Sequence, residues 1–317
     1  MIFWLICAAI LAFFVFFFAF GLCCFRTANR RRTHYPADRR EHGGGEGIPD
    51  EAYQRLKESR TWFDNAPWES VSVLSHDGLK LSAQLLTAKE DAKGVILCFH
   101  GYHSSCRRDL SIQAQMLHEA GYHLILASQR SHGESEGTYI CFGAKERHDV
   151  GAWCCLATHR FPELPIGLLG LSMGASTVLM SSNTDLPPAV RGIVADCGFF
   201  SPWEIIWRTL RRKHKIVPFP VIYFMNYWSR MLAEFDYRSV NTVDCVNETK
   251  LPILLIHGET DVYVPCEMSR RLHASYPEKT ELITVPNTPH SQSIFYATDT
   301  YQNAMLAFFE KHLPLSE

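Results

Sequence analysis

Ser172 lies in the stretch LLGLSMGAST, residues 168–177, with a glycine two positions away on each side. Apolar, strand-like residues precede it and helix-forming residues follow. In that setting a hydroxyl is held out on a sharp turn, Gly170 and Gly174 leave the room a larger side chain would fill, and the following helix turns its first N–H groups toward developing negative charge. The chemistry this suits is nucleophilic attack by serine. A serine hydroxyl attacks poorly at neutral pH unless a base takes its proton and an acid orients that base. The chain carries 15 histidines, so number alone does not single out the base. Neither C-x-x-C nor H-E-x-x-H occurs, and no metal site or cofactor is expected.

The elements that position Ser172 are legible as hydrophobic patterns. SVSVLSHDGLKLSAQLL alternates on both sides of Asp77-Gly78, which marks a hairpin. Short, continuous apolar runs follow: GVILCFHG, YHLILASQ, IGLLGLS, RGIVADCG, LPILLIHG and ELITVPN. Helix-length segments separate them. Such runs are strands buried on both faces, and their alternation with helices implies a parallel sheet covered on either side. Reactive side chains in such sheets stand just beyond the carboxyl ends of the strands, which is where Ser172 falls.

With 47% hydrophobic residues the chain can fill a core, and with 31 basic against 33 acidic residues it carries no basic field for nucleic acid. The 11 cysteines are scattered, several of them on the buried strands, and read as reduced core thiols. Residues 1–25 hold no charged side chain and as a helix would reach roughly 37 Å, enough to cross a bilayer. We read them as an uncleaved transmembrane anchor. Arg26, Arg30, Arg31, Arg32, Arg39 and Arg40 then face the single acid Asp38, and the positive-inside rule keeps the downstream chain cytoplasmic. Residues 26–47, basic and finally glycine-rich, are expected to be a flexible tether, and 48–317 the folded unit.

The order of elements, together with HGYHSS, QRSHGESEG, GLSMG, HGETDVYVP and NTPHSQS, resembles the α/β-hydrolase superfamily over Trp68–Leu313. The resemblance looks closest to membrane-associated bacterial hydrolases. It implies a mostly parallel eight-stranded sheet flanked by helices, and a triad in chain order serine, acid, histidine: Ser172, Asp261 and His290. Asp196, after the strand RGIVADCG, is the competing acid, and Glu259 stands two residues from Asp261. Asp261 is favoured because it occupies the motif's acid position. The oxyanion would be bound by the backbone N–H groups of Tyr102 and Met173. A serine at the elbow excludes dehalogenase and epoxide-hydrolase chemistry, which need a carboxylate there. Arg130 is expected to pair with Glu146 or Asp149 on the next helix.

About fifty residues separate the strand ending near Asp196 from the one starting at Leu251, far more than a normal connection. They are expected to form a helical cap at about 199–246. Trp203 and Trp207 share a helical face and, with Phe224, are candidates to line an acyl pocket; packing within the cap is the alternative. A basic cluster runs from Arg208 to Lys215. Aromatic and basic residues together favour a small-molecule or lipid acyl ester as substrate, and the bilayer as a partner through the N-terminal helix. A peptidase, an acyltransferase or a non-catalytic binding protein of the same fold are the alternatives.

Overall fold

The structure is a computed structural model that describes residues 1–32, 48–88 and 91–315. Its strands are β1 (Glu69–Leu74), β2 (Lys80–Leu86), β3 (Val95–Phe99), β4 (His123–Ala127), β5 (Ile166–Leu171), β6 (Val190–Asp196), β7 (Ile253–Gly258) and β8 (Thr280–Val285). They form one sheet in the order β1-β2-β4-β3-β5-β6-β7-β8. β1 and β2 are the hairpin read from Asp77-Gly78. β2 also runs antiparallel to β4, and every other pair is parallel. This is the α/β-hydrolase fold expected from the sequence.

The helices are α1 (Ile2–Asn29), α2 (Asp50–Asn65), α3 (Cys106–Asp109), α4 (Ser111–Glu119), α5 (Glu146–Arg160), α6 (Met173–Ser181), α7 (Pro202–Arg208), α8 (Pro218–Leu232), α9 (Thr242–Glu248), α10 (Cys266–Ser275), α11 (Ser293–Tyr296) and α12 (Thr298–His312). A π-helical turn, Thr209–Lys213, continues α7. The continuous apolar strands have the cause proposed for them. Along β3, Val95, Leu97 and Phe99 enter the core shared with α5, α6 and the cap, while Ile96 and Cys98 enter the core beneath α2, α4 and α12. Both faces of the sheet are covered, so alternation along the strands disappears.

The N-terminal helix departs from the expected boundary at residue 25. α1 runs on to Asn29, and Gly21, Phe25 and Asn29 are buried. The Asn29 amide donates to the Ile140 carbonyl at 2.7 Å, and its oxygen accepts from the Tyr237 hydroxyl at 2.5 Å. Arg31 donates from its backbone to Thr138 at 2.8 Å and from its side chain to the Ser135 and Gly133 carbonyls. Asn29 and Arg31 are therefore docked on the folded unit and extend its contacts into the expected tether, because their polar groups find partners a hundred or more residues away. The rest of the expected tether, 33–47, lies outside the described residues.

Candidate active site

The carboxyl ends of β3, β5, β6, β7 and β8 bring the reactive groups to one edge of the sheet. Ser172 sits between β5 and α6 with φ +54°, a conformation uncommon for a residue with a side chain. The glycines around it answer to close approach. A Cβ at Gly170 would collide with the Gly174 carbonyl, and one at Gly174 with the Phe99 carbonyl oxygen. Ser172 donates its backbone N–H to the Asp196 carbonyl at 2.8 Å, which ties the elbow to the next strand.

The Ser172 Oγ lies 2.8 Å from His290 Nε2, and His290 Nδ1 lies 2.5 Å from Asp261 Oδ2. These three residues, far apart in the chain, are thus brought into one hydrogen-bonded line. Asp261 is fixed from its other side: Oδ1 accepts from the backbone N–H groups of Tyr263 and Val264, both at 2.8 Å. Burial works against its charge, but hydrogen bonds from His257 and His290 outweigh burial and hold its pKa down at about 2. It is a carboxylate at neutral pH. For His290, burial also disfavours the charged form. Cys197 beside it and the carboxylate it faces outweigh that, and its pKa stands well above the ordinary 6.5. A glycine at position 258 keeps the β7 and β8 loops together, since a Cβ there would meet the Thr288 carbonyl.

The competing acids have other surroundings. Asp196 is buried at the end of β6, its Oδ1 3.5 Å from Ser293 Oγ, and burial raises its pKa to about 6 against the influence of His257 and His290. Glu259 pairs with Arg270 and accepts from Thr284 Oγ1 at 2.9 Å. Arg130 clamps Asp149 and Asp77, at 2.6 and 2.8 Å. The other acid named for it, Glu146, instead accepts from the backbone N–H groups of Cys141 and Gly143.

Of the two residues whose backbone is named for the oxyanion, Met173 follows Ser172 in the chain and Tyr102 follows Gly101, which approaches Ser172 in space. Met173 is the first residue of α6, where a helical N–H has no intrahelical acceptor. Tyr102 follows Gly101, whose own N–H donates to Asp109 Oδ2 at 2.8 Å; a Cβ at Gly101 would stand 3.6 Å from the Ser172 Cβ. Asp109 therefore pins this loop against the nucleophile. The Tyr102 ring stacks on His103 and Phe142, and its hydroxyl donates to the Ala28 carbonyl of α1 at 2.6 Å.

The cap candidates are placed differently from an acyl pocket. Phe224 packs on α1, against Gly21 and the rings of Phe14, Phe17 and Phe18. Trp203 is held between Tyr223 and the Arg238 guanidinium, and Trp207 is half-buried against the main core. These three rings are taken up by packing within the cap and against α1. What the cap does bring to the site is Lys213, with Nζ 5.4 Å from the Tyr263 ring centroid, and that ring lies 5.7 Å from His290.

Cys197 is a neighbour that sequence reasoning passed over. Its Sγ lies 3.3 Å from Ser291 Oγ, and burial pushes its thiol pKa up. The signal was its place one residue past β6. Its ligand atom and those of Asp261 and His290 lie within 4.8 Å of one another, but the latter two are already engaged in the line from Ser172. His76, Asp77 and Asp149 form a second such group, whose carboxylates already hold the Arg130 cation. A cleft of about 580 Å³ opens at the foot of α1, lined by Arg31, Asp77, Arg130, Lys145 and Glu234 among others; none of Ser172, Asp261 or His290 reaches it.

Comparisons with known proteins agree with this architecture. A family model described as serine aminopeptidase, S33 matches residues 90–236, and one described as TAP-like protein matches 220–313. The uncharacterized protein YqkD of Bacillus subtilis is 23% identical over 224 residues, covering 70% of this chain and 73% of that protein. The lysophosphatidylserine lipase ABHD12 of Danio rerio is 25% identical over 191 residues, 56% of this chain and 46% of that one. Among solved structures, the Pyrococcus furiosus esterase Pf2001 superposes with a TM-score of 0.64 at 22% identity, covering 78% of this chain and 92% of its own.

Proposed function

Because the chain belongs to the α/β-hydrolase superfamily, we propose that it is a membrane-anchored serine hydrolase that cleaves acyl esters through an acyl-enzyme. The observation that carries the reading is the line from Ser172 Oγ through His290 to Asp261, at 2.8 and 2.5 Å, on a strained strand-to-helix elbow. In this reading His290 Nε2 takes the Ser172 proton as Oγ attacks the ester carbonyl. The N–H groups of Tyr102 and Met173 receive the oxyanion, and His290 returns the proton to the leaving alcohol. Water, activated by the same imidazole, then releases the acid. Asp261 keeps Nδ1 protonated and stabilises the imidazolium without taking the proton itself.

Anchoring rests on α1, whose apolar stretch is long enough to span a bilayer and is not buried in the protein. With arginines following the uncharged start, the amino terminus lies outside and the catalytic unit in the cytoplasm. An active site held at a membrane favours lipid-like acyl esters, and a relative named as a lipase and a structural neighbour named as an esterase are in keeping with that. The test is a panel of acyl esters of increasing chain length, presented in water and in vesicles, alongside peptide amides. Rising turnover with chain length in vesicles is expected. Cleavage of amides with no action on esters would transfer the same triad to a peptidase, the reading favoured by the description of the family model over residues 90–236.

A further inference from the structure

A bilayer core of about 30 Å needs about 20 helical residues to cross it, at 1.5 Å each. The first fully buried residue of α1 is Gly21, and from there to Asn29 one face of the helix (Gly21, Phe25, Asn29) enters the protein's own core, with Phe17 and Phe20 half-buried just before it. Only the first twenty residues remain for the membrane, and all of them are needed. Phe14, Phe17 and Phe18 must then lie in the bilayer, together with whatever packs on them. What packs on them is α8. Its Trp228 indole donates to the Phe18 carbonyl at 3.0 Å, and its Phe224, Tyr227 and Trp228 rings meet those phenylalanines at centroid distances of 4.5 to 6.5 Å.

α8 has three faces. Val221, Ile222 and Met225 enter the core; Phe224 and Trp228 take α1; and Tyr223, Tyr227 and Met231, spaced by four, keep about half of their surface open although Tyr227 touches Phe18 and Tyr223 touches Trp203, with Phe219 open at the non-helical kink before them. Phe219 is 64% and Met231 60% exposed. An open stripe of large apolar residues continuous with a membrane span has hydrocarbon as its natural cover, and tyrosine at its edge suits the headgroup boundary. Charge agrees. The π-helical turn and the connection just before α8 carry Arg211, Arg212, Lys213 and Lys215, none of which forms an ion pair among the described residues. Unpaired cations beside an apolar stripe match anionic headgroups.

We propose that α8 and the basic turn before it are a second membrane contact, seated beside α1 in the headgroup and upper acyl layer of an anionic phospholipid bilayer. The inference rests on the anchoring read above. Two contacts, unlike one, fix the tilt of the catalytic unit. Lys213, which stands over Tyr263 beside His290, then holds the mouth of the site at headgroup level, and an ester reaches Ser172 from the lipid.

The experiment uses the full-length protein in vesicles of phosphatidylcholine and phosphatidylglycerol, first floated on a density gradient and then footprinted with water-borne hydroxyl radicals. Phe219, Tyr223, Tyr227 and Met231 are expected to be oxidised several-fold more slowly than Tyr53, which is exposed on α2. Oxidation of the four at the Tyr53 rate in protein that floats would overturn this contact and leave the anchor standing. Protein that does not float overturns both. The double variant Phe219→Asp, Met231→Asp should lose at least about tenfold of turnover on vesicle-embedded ester and none on a short soluble ester. Equal loss on both substrates, or on neither, counts against the proposal.

Discussion

The elbow at Ser172 and the seam between α1 and α8 are both built on glycine, for different ends. At the elbow, Gly170 and Gly174 let backbone fold against backbone so that one hydroxyl is thrust out toward His290. At the seam, Gly21 lets the α1 backbone approach Phe224 so that two helices lock side by side. The first region is fixed by polar bonds: Asp261 is gripped by its own loop, and Gly101 by Asp109 a few residues on. The second is fixed mainly by rings and apolar contact. A reactive group must be held to a fraction of an ångström, which directional bonds supply, whereas a docking seam needs area, which apolar side chains supply. Damage to the first should stop chemistry and spare the fold. Damage to the second should do the reverse.

The largest effect tests the first half of that statement. Ser172→Ala should abolish fluorophosphonate labelling and cut turnover by about 10⁶-fold, the scale seen on losing the nucleophile of an unrelated serine protease. Its melting temperature should stay at the wild-type value, because only a hydroxyl is removed. Labelling that survives the substitution removes Ser172 from the mechanism.

Next comes the acid. Asp261→Asn should cost about 10⁴-fold in kcat by favouring the wrong histidine tautomer, while Asp196→Asn should be mild, since Asp196 lies on no line to His290. A reversed ranking moves the acid to β6. The pH profile carries the same information. His290 serves as base only when neutral and its pKa lies above 6.5, so activity is full above that pKa and is lost as pH falls through it. In Asp261→Asn the acid limb should shift to lower pH, since a carboxylate that favours the charged ring is gone. A limb that stays in place means Asp261 is not what holds that pKa.

The contrast also explains what could be read in the chain. The elbow, the strands and the hairpin at Asp77-Gly78 have their causes within a few residues, so periodicity and turn chemistry announce them. His290 and Asp261 were reachable through the resemblance, each following a strand. The end of α1 was not legible. Its arginines look like the start of a solvated tether, yet Arg31 is held by carbonyl groups at 133, 135 and 138. Aromatic residues of the cap were equally ambiguous: Phe224 is an apolar ring suited to a pocket until α1 is seen lying on it.

The seam end should show its own kind of damage. Phe25 is fully buried in the main core, with its ring 5.2 Å from Tyr139. Phe25→Ala should therefore destabilise the full-length protein by about 3–5 kcal/mol, read as a lower melting temperature in detergent, while kcat of the folded fraction holds. Truncation before Ile48 removes Phe25, Asn29 and Arg31 together and should leave an aggregating remnant. A truncated protein that melts like wild type would return α1 to the role of a mere leash.

A hydrogen bond from Tyr102 joins the two regions, and it yields the smallest effect and the sharpest comparison. Tyr102 offers its backbone to the oxyanion in the proposed mechanism and its hydroxyl to the Ala28 carbonyl of α1, at 2.6 Å. Tyr102→Phe keeps the ring stacked on His103 and Phe142 and removes that tie. A bond of this kind contributes about 1 kcal/mol net. Were all of it expressed as misplacement of the N–H in the transition state, kcat on a short soluble ester would fall about fivefold, with KM unmoved because the ground-state carbonyl gains little from the oxyanion site. The same variant should melt within a degree or two of wild type, since the seam keeps its buried rings. If kcat holds and the melting temperature drops instead, the hydroxyl belongs to the seam, and the anchor carries the catalytic unit without touching its chemistry.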